Sequence, residues 1–163
     1  MNKRIALLMG SQSDLPKLES CLETLRNLGL DCEVRILSAH RTPEAVCEFA
    51  RQAESRGLEV IIAAAGGAAH LAGVVAAHTL LPVIGIPIEG GTFKGLDALL
   101  STVQMPGGVA VATVGVGSGG ATNAALLAAQ ILARQDSSLR ARLEADRSAR
   151  REKVLLADQE LQL

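Results

Sequence analysis

Val60-Ile61-Ile62-Ala63-Ala64-Ala65 runs without a polar residue and is followed at once by Gly66-Gly67. A strand with one wet face alternates apolar and polar residues, whereas a strand covered on both faces does not. The run therefore predicts a central parallel strand with helices above and below it, and the rest of the chain can be placed around it.

Towards the N-terminus, Arg4 to Met9 is a short apolar run that ends in Gly10-Ser11-Gln12-Ser13-Asp14. Pro16 then leads a segment whose Leu18, Leu22, Leu25 and Leu28 fall on one helix face, with Gly29 as the stop. Cys32 to Leu37 reads as a second strand. Ser38-Ala39-His40-Arg41-Thr42-Pro43 turns it into a second helix, because Pro suits the first helical position, where no backbone donor is needed. That helix runs from about Pro43 to Ser55 with Val46, Phe49 and Ala50 inward and Gly57 at its end. Beyond the central run come an unusually apolar helix reaching about Thr79, a strand from Pro82 to Ile86, a helix from Leu96 to Gln104, a strand from Val109 to Val114 and a helix from Ala121 to Ala133.

Strand and helix alternating five times call for an α/β fold with a doubly wound parallel five-stranded sheet covered on both faces. The stretch from Ser137 to about Leu156 holds the densest charge, and Leu139, Leu143, Val154 and Leu155 give it an imperfect apolar stripe, so a C-terminal sixth helix is expected. The chain is read as a single domain, residues 1–163, with the core in 1–134 and the charged helix and tail in 135–163. The helices around Val74 and Leu127 look apolar all round. Subunit contact is their expected cover, and hence a homo-oligomer.

Composition narrows the partners. With 163 residues, 48% apolar content, a formal net charge of -1, no Trp or Tyr, and Phe49 and Phe93 as the sole aromatics, the chain has no basic groove with stacking platforms, which argues against nucleic acid. Cys21, Cys32 and Cys47 form no C-x-x-C pair and leave one over from any pairing, as in a reduced, cytoplasmic protein. The start of the chain lacks a signal-peptide cleavage pattern. Between Val60 and Ile88 there is no Asp, Glu, Lys or Arg, yet glycines, two histidines and two prolines interrupt the run, so strand, helix and strand fit it better than a membrane span.

Ligands of open parallel sheets bind beyond the carboxyl ends of the strands, near the point where strand order reverses. The first three such ends are polar or glycine-rich. Ser11 and Ser13 can donate to an anion and Asp14 can accept from sugar hydroxyls, although all three are also ordinary helix caps. His40 can move protons near neutral pH, while Arg41 and the helix opened by Pro43 suit a phosphate, with Ser38 beside them. Gly66-Gly67 allows a ligand close to the backbone, and His70 is either a second polar contact or a satisfied core histidine. His78 reads as structural. A metal site from His40, His70 and Asp14 has no local ligand spacing to support it, and Cys47, inside a helix beside Phe49, reads as packing. Neither G-x-G-x-x-G nor a G-K-[ST] loop is present, and Gly115 to Gly120 reads as a turn into a helix.

Met9-Gly10-Ser11-x-Ser13-Asp14, Ser38 to Pro43, Ala65-Gly66-Gly67-Ala68-Ala69-His70-Leu71, Val103-Gln104-Met105-Pro106 and Asn123 to Leu132, in that order, resemble the 5-(carboxyamino)imidazole ribonucleotide mutase family of purine biosynthesis. The resemblance covers about residues 4 to 134. It implies a flavodoxin-like three-layer αβα fold, a cytoplasmic homo-octamer whose C-terminal helix reaches a neighbouring subunit, and carboxylate transfer from nitrogen to ring carbon with no metal or organic cofactor. It also implies that Ser11, Ser13, Asp14, Ser38 and Arg41 bind the phosphorylated ribonucleotide, that His40 is the general acid/base, and that the loop with Ala65, Gly66, Ala68, His70 and Leu71 covers the carboxylate.

Two departures stand out: Ala72 where the family commonly has Pro, and Gly117 to Gly120 where it has a lysine-containing loop. A sister class, which carboxylates aminoimidazole ribonucleotide directly, lacks the Gly67-Ala68-Ala69-His70 pattern. Direct carboxylase and, more distantly, a non-catalytic nucleotide-binding module are the competing readings.

Overall fold

The structure is a computed structural model and describes residues 3–161; residues 1, 2, 162 and 163, the ends of the expected domain, lie outside the described residues. The strands are Ile5–Met9 (β1), Cys32–Ile36 (β2), Val60–Gly66 (β3), Val83–Ile88 (β4) and Ala112–Thr113 (β5). All pair in parallel, in the order β2-β1-β3-β4-β5, so the non-alternating run is indeed the middle strand, with Val60 to Ala64 buried. The helices are Glu19–Asn27 (α1), Pro43–Gln52 (α2), Leu71–Ala76 (α3), Leu96–Val103 (α4), Ser118–Leu132 (α5) and Ser137–Glu160 (α6). No described helix is long and apolar enough to cross a membrane.

Alternate strand residues feed two separate cores, which is what buries both faces of β1 and β3. Ile5, Leu7, Met9, Ile62, Ala64, Ile84 and Ile86 pack with Leu18, Cys21 and Leu25 and with the alanine face of α5, Ala121, Ala124, Ala125 and Ala128. Ala6, Leu8, Ile61, Ala63 and Val83 face the other way, onto Val46, Phe49, Ala50, Leu71, Ala72 and Val75. The layers are thus helices, sheet, helices, the flavodoxin-like arrangement.

Several boundaries differ from the periodicity reading, each for a local reason. The first helix is split: a 3-10 helix, Gln12–Leu18, contains Pro16, whose missing N–H does not support regular α-helical bonding, and α1 begins only at Glu19. The apolar helix expected to reach Thr79 ends at Ala76. There the His78 amide turns to the Val75 carbonyl at 2.9 Å, and the His78 ring Nδ1 takes the freed Val74 carbonyl at 2.8 Å, a structural use of that histidine. The last strand has two residues instead of six: a turn takes the Val109 amide to the Pro106 carbonyl at 3.2 Å, so pairing begins only at Ala112. As β5 reaches only the level of Gly85, β4 is an edge at Pro87, where a missing donor is tolerated.

The cover expected for the helix around Leu127 comes in part from the chain itself. Leu126, Leu127 and Ile131 lie half-buried beside Leu139 and Leu143 of α6. Asp136 caps α6, accepting from the Leu139 amide at 2.9 Å, and Arg142 Nε donates to the Leu28 carbonyl at 2.8 Å, tying α6 to the end of α1.

Gly85 lies where α4 crosses β4. A Cβ there would stand 2.4 Å from Thr102 Cγ2 and 2.9 Å from Val111 Cγ1, with Thr102 held in place by donating to the Ala98 carbonyl at 2.7 Å. Gly85→Ala is expected to destabilise the fold by about 1–3 kcal/mol through overpacking, read as a lower urea midpoint at unchanged m-value.

On the edge strand, Glu33 bonds Arg56 and, at 3.2 Å, Arg35, and both guanidinium groups lie over the Phe49 ring, at 5.0 and 5.6 Å from its centroid. The Arg56 hydrogen bond above all, with that of Arg35, holds the Glu33 carboxyl below its ordinary value despite some desolvation. A depressed acid contributes stability above its unfolded pKa and loses it as pH falls through the folded one. Glu33→Gln should therefore lower thermal stability at neutral pH, and the gap from the parent should close below about pH 4, the ordinary carboxylate range.

Candidate active site

Register brings the loops together. Met9 lies beside both Ile36 and Ala64, and Gly66 beside Ile88, so the loops after β1, β2, β3 and β4 leave the sheet at nearly one level. The Leu37 amide donates to the Met9 carbonyl at 2.9 Å and the Gly10 amide to the Ala64 carbonyl at 3.3 Å, extending the pairing into the loops themselves. Strand order reverses at β1, the position at which such sheets bind ligands. A cleft of about 500 Å³ opens there.

Ser11, Asp14, Ser38, His40, Arg41, Ala65, Gly66, Ala68, His70 and Leu71 all line this cleft. Ser13 does not. Its hydroxyl donates to Ser11 Oγ at 2.8 Å and its amide meets the same atom at 3.3 Å, so it orients Ser11 and leaves the cavity surface to it. Ser38 works in a similar way: its Oγ accepts from the Arg41 amide at 3.2 Å and Nε at 3.4 Å, while Arg41 Nη2 donates to the Gly10 carbonyl at 2.5 Å. Arg41 is thus braced between the first two loops, with guanidinium donors left over for an anion.

The imidazoles of His40 and His70 meet directly. His40 Nε2 and His70 Nδ1 are 2.7 Å apart with the rings at 89° and centroids 4.9 Å apart. At that distance one nitrogen must donate and the other accept, so a single proton lies between the two rings. His70 is the N-cap of α3 and no core residue: both histidines are exposed to the cleft. The third loop reaches this place through Gly67, whose φ of +62° favours glycine.

Burial raises the Asp14 carboxyl above its ordinary value, opposed by the charges of Lys17 and Arg41 and by a Ser11 backbone hydrogen bond. An acid raised in this way weakens the folded state while ionised and restores stability as pH falls through its folded pKa. Such a cost at a cleft is typical of functional groups, since a ligand hydroxyl can return the missing solvation.

Sequence reasoning missed Lys17, Ile88, Glu89, Gly90, Gly91 and Asp97, which complete the cleft. The loop residues do carry a signal: Glu89-Gly90-Gly91 follows an apolar run, which continues as strand to Ile88 and not only to the expected Ile86. Lys17 carried no signal of its own. Among the described residues no group of three or more His, Cys, Asp or Glu is placed to hold a metal ion. The Gly115 to Gly120 turn stands outside the cleft, and a Cβ on Gly120 would fall 1.6 Å from the Gly115 carbonyl oxygen, in keeping with a tight entry into α5.

A parallel sheet in the order 2-1-3-4-5 with a proton-sharing pair and a braced guanidinium at its switch point defines a flavodoxin-like protein equipped for acid/base work on an anionic ligand. The chain belongs to the AIR carboxylase family, whose profile it matches over residues 4–153. It is 53% identical to an N5-carboxyaminoimidazole ribonucleotide mutase of Mycobacterium tuberculosis over 98% of this chain and 90% of that one. A mutase of the same name from Vibrio vulnificus is 50% identical over 93% and 94% of the two chains, and one from Thermotoga maritima 57% over 79% and 74%. A crystal structure of Treponema denticola PurE superposes with a TM-score of 0.86 at 30% identity, covering 98% of both chains.

The histidine contact makes a spectroscopic prediction. Nitrogen-15 spectra near neutral pH should show one protonated and one unprotonated nitrogen for His40 Nε2 and His70 Nδ1, and His70→Phe should shift the His40 resonance while the backbone spectrum outside the cleft stays in place.

Proposed function

We infer that this chain is an N5-carboxyaminoimidazole ribonucleotide mutase, converting 5-(carboxyamino)imidazole ribonucleotide into 4-carboxy-5-aminoimidazole ribonucleotide in purine biosynthesis. The observation that carries this reading is the meeting of His40 and His70 at 2.7 Å beside the glycine-rich third loop, in a cleft that Arg41 and Asp14 also line. The mutase name of relatives at 50–57% identity supports it. The same names favour the mutase over the direct carboxylase.

The substrate has a phosphate, a ribose and a carboxylated amine on an imidazole ring. Arg41, with Ser38 and Ser11 beside it, binds the phosphate end, and Asp14 accepts from the ribose hydroxyls. Ala65, Gly66, Ala68 and Leu71 close over the ring and its carboxylate. Breaking the N–C bond of the carbamate releases carbon dioxide and leaves an amine nitrogen that needs a proton. Attack of the ring carbon on the same carbon dioxide forms the new C–C bond and then sheds the proton of that carbon. One proton is donated and one is recovered, so a single group can serve both steps, and His40 is that group. His70, sharing a proton with it, sets the ring's orientation and tautomer. Holding the small neutral intermediate beside the ring carbon supplies an entropic advantage as well.

The working form is a homo-octamer in the cytoplasm, each subunit one domain, with no metal or organic cofactor. Leu96, Leu100 and Val103, spaced along one face of α4, are each about half exposed at 53%, 50% and 50%, and Val154, Leu155 and Leu156 are exposed on α6. Exposed apolar residues of this kind are suited to burial against other copies.

Supplied with the carbamate substrate, the parent chain should form the 4-carboxy product with no added bicarbonate. His40→Asn should lose about two to four orders of magnitude in kcat while retaining ligand binding by calorimetry. A requirement for free carbon dioxide in turnover would turn the assignment to the direct carboxylase. Leu100→Glu should shift the sedimentation coefficient to a smaller species.

A further inference from the structure

Lys17 stands on the 3-10 helix after β1, yet its ammonium donates to the carbonyl of Glu89, seventy-two positions further along the chain, where β4 gives way to the loop leading to α4. The contact crosses the rim of the cleft. Glu89, Gly90 and Gly91 form the fourth wall, and Lys17, Ile88 and Glu89 also line an adjoining space of about 490 Å³ beside Gly117 and Ser118. This one side chain and the end of β4 are therefore the partition between the two spaces.

The loop needs such a hold. Gly91, Lys94 and Gly95 all have positive φ, at +61°, +49° and +90°, and Lys94 is the sole non-glycine residue with that geometry among the described residues. Internal bonding of the loop is sparse, the Lys94 amide to the Gly91 carbonyl at 3.4 Å and the Leu96 amide to the Phe93 carbonyl at 3.0 Å. Its far end is packed tightly, since a Cβ on Gly95 would lie 2.8 Å from Val116 Cγ1 and 3.1 Å from Glu89 Cα. The near end leaves the sheet at Ile88, paired with Gly66, and just beyond it the side-chain hydrogen bond to the loop among the described residues comes from Lys17, whose Nζ lies 3.7 Å from the position of a Gly90 Cβ.

We propose that Lys17 is a positioning residue of the cleft: its ammonium latches the Glu89 to Gly95 loop onto the first strand-end loop and so sets the width of the ligand cleft. A charge-assisted hydrogen bond to a backbone carbonyl is well suited to this, being stronger than a neutral one and independent of the loop's side chains. The proposal rests on the mutase reading for its kinetic consequence alone, because the latch itself is a property of the ligand-free chain.

The test compares Lys17→Met and Lys17→Arg with the parent. In hydrogen exchange on the ligand-free proteins, the amides of residues 89–95 should exchange about tenfold faster in Lys17→Met, with β1 and β3 unchanged, and Lys17→Arg should restore much of the protection, as a lost hydrogen bond from a charged donor implies. In turnover of the carbamate substrate, Lys17→Met should raise KM about tenfold and leave kcat within about twofold, the signature of lost uniform binding. Unchanged exchange in the loop overturns the latch, whatever the substrate proves to be. Faster exchange with unchanged KM overturns the role in the cleft, as does a fall in kcat at constant KM. Should the parent not turn the carbamate over, the mutase reading fails separately, and the exchange arm still decides the latch.

Discussion

The structure depends on the parallel pairing of β3 with β1 on one side and β4 on the other. A parallel ladder has one direction, so every strand that joins it delivers its carboxyl end, and the loop that follows, to the same edge. Because Met9 pairs with both Ile36 and Ala64 and Gly66 pairs with Ile88, these loops are level to within about two residues. A slip of one residue would turn β3 over, exchanging the residues that feed the two cores, and would move His70 away from His40. The apolar packing that fixes the register therefore also fixes the chemistry.

At that edge the molecule gathers polar groups, one of them at a cost to the fold. The Asp14 carboxyl is desolvated, while the two imidazoles bond each other and the Arg41 guanidinium is braced on a backbone carbonyl. Their rigidity comes from short local bonds: Ser13 to Ser11, Ser38 to Arg41, and Thr42 Oγ1, which accepts from the Ser38 amide at 3.0 Å. In each of the first two loops a neighbour thus holds a residue that faces the cavity. Preorganisation of this kind is what lets a site act on a developing charge without first rearranging.

The helices answer a different demand. α5 is small and apolar because it must lie close on the sheet through Ala121, Ala124, Ala125 and Ala128, and its other side is partly closed by Leu139 and Leu143 of α6. α6 is charged on its outer surface, with Arg140 to Glu144 at 3.1 Å alongside that contact and Arg150 to Asp146 at 2.7 Å beyond it. Its start belongs to the core and its end presents Val154, Leu155 and Leu156 to the outside.

The order of elements, the central place of Val60 to Ala65, the doubly wound parallel sheet and most of the cleft were legible in the amino-acid sequence, because each rests on local periodicity, on Gly and Pro punctuation, or on polar residues at strand ends; the flavodoxin-like class was what the family resemblance implied. Boundaries governed by backbone bonding were not: Pro16 dividing the first helix, His78 ending α3, and the turn at Pro106 that shortens β5. Nor could the separate roles of Ser11 and Ser13 be told apart, since two serines two positions apart differ only in which one faces the cavity. The meeting of His40 with His70, the bracing of Arg41 on Gly10 and the reach of Lys17 to Glu89 join residues 30 or more positions apart. Such contacts exist only once the sheet has aligned its strand ends, and for that reason only the tertiary structure decided them.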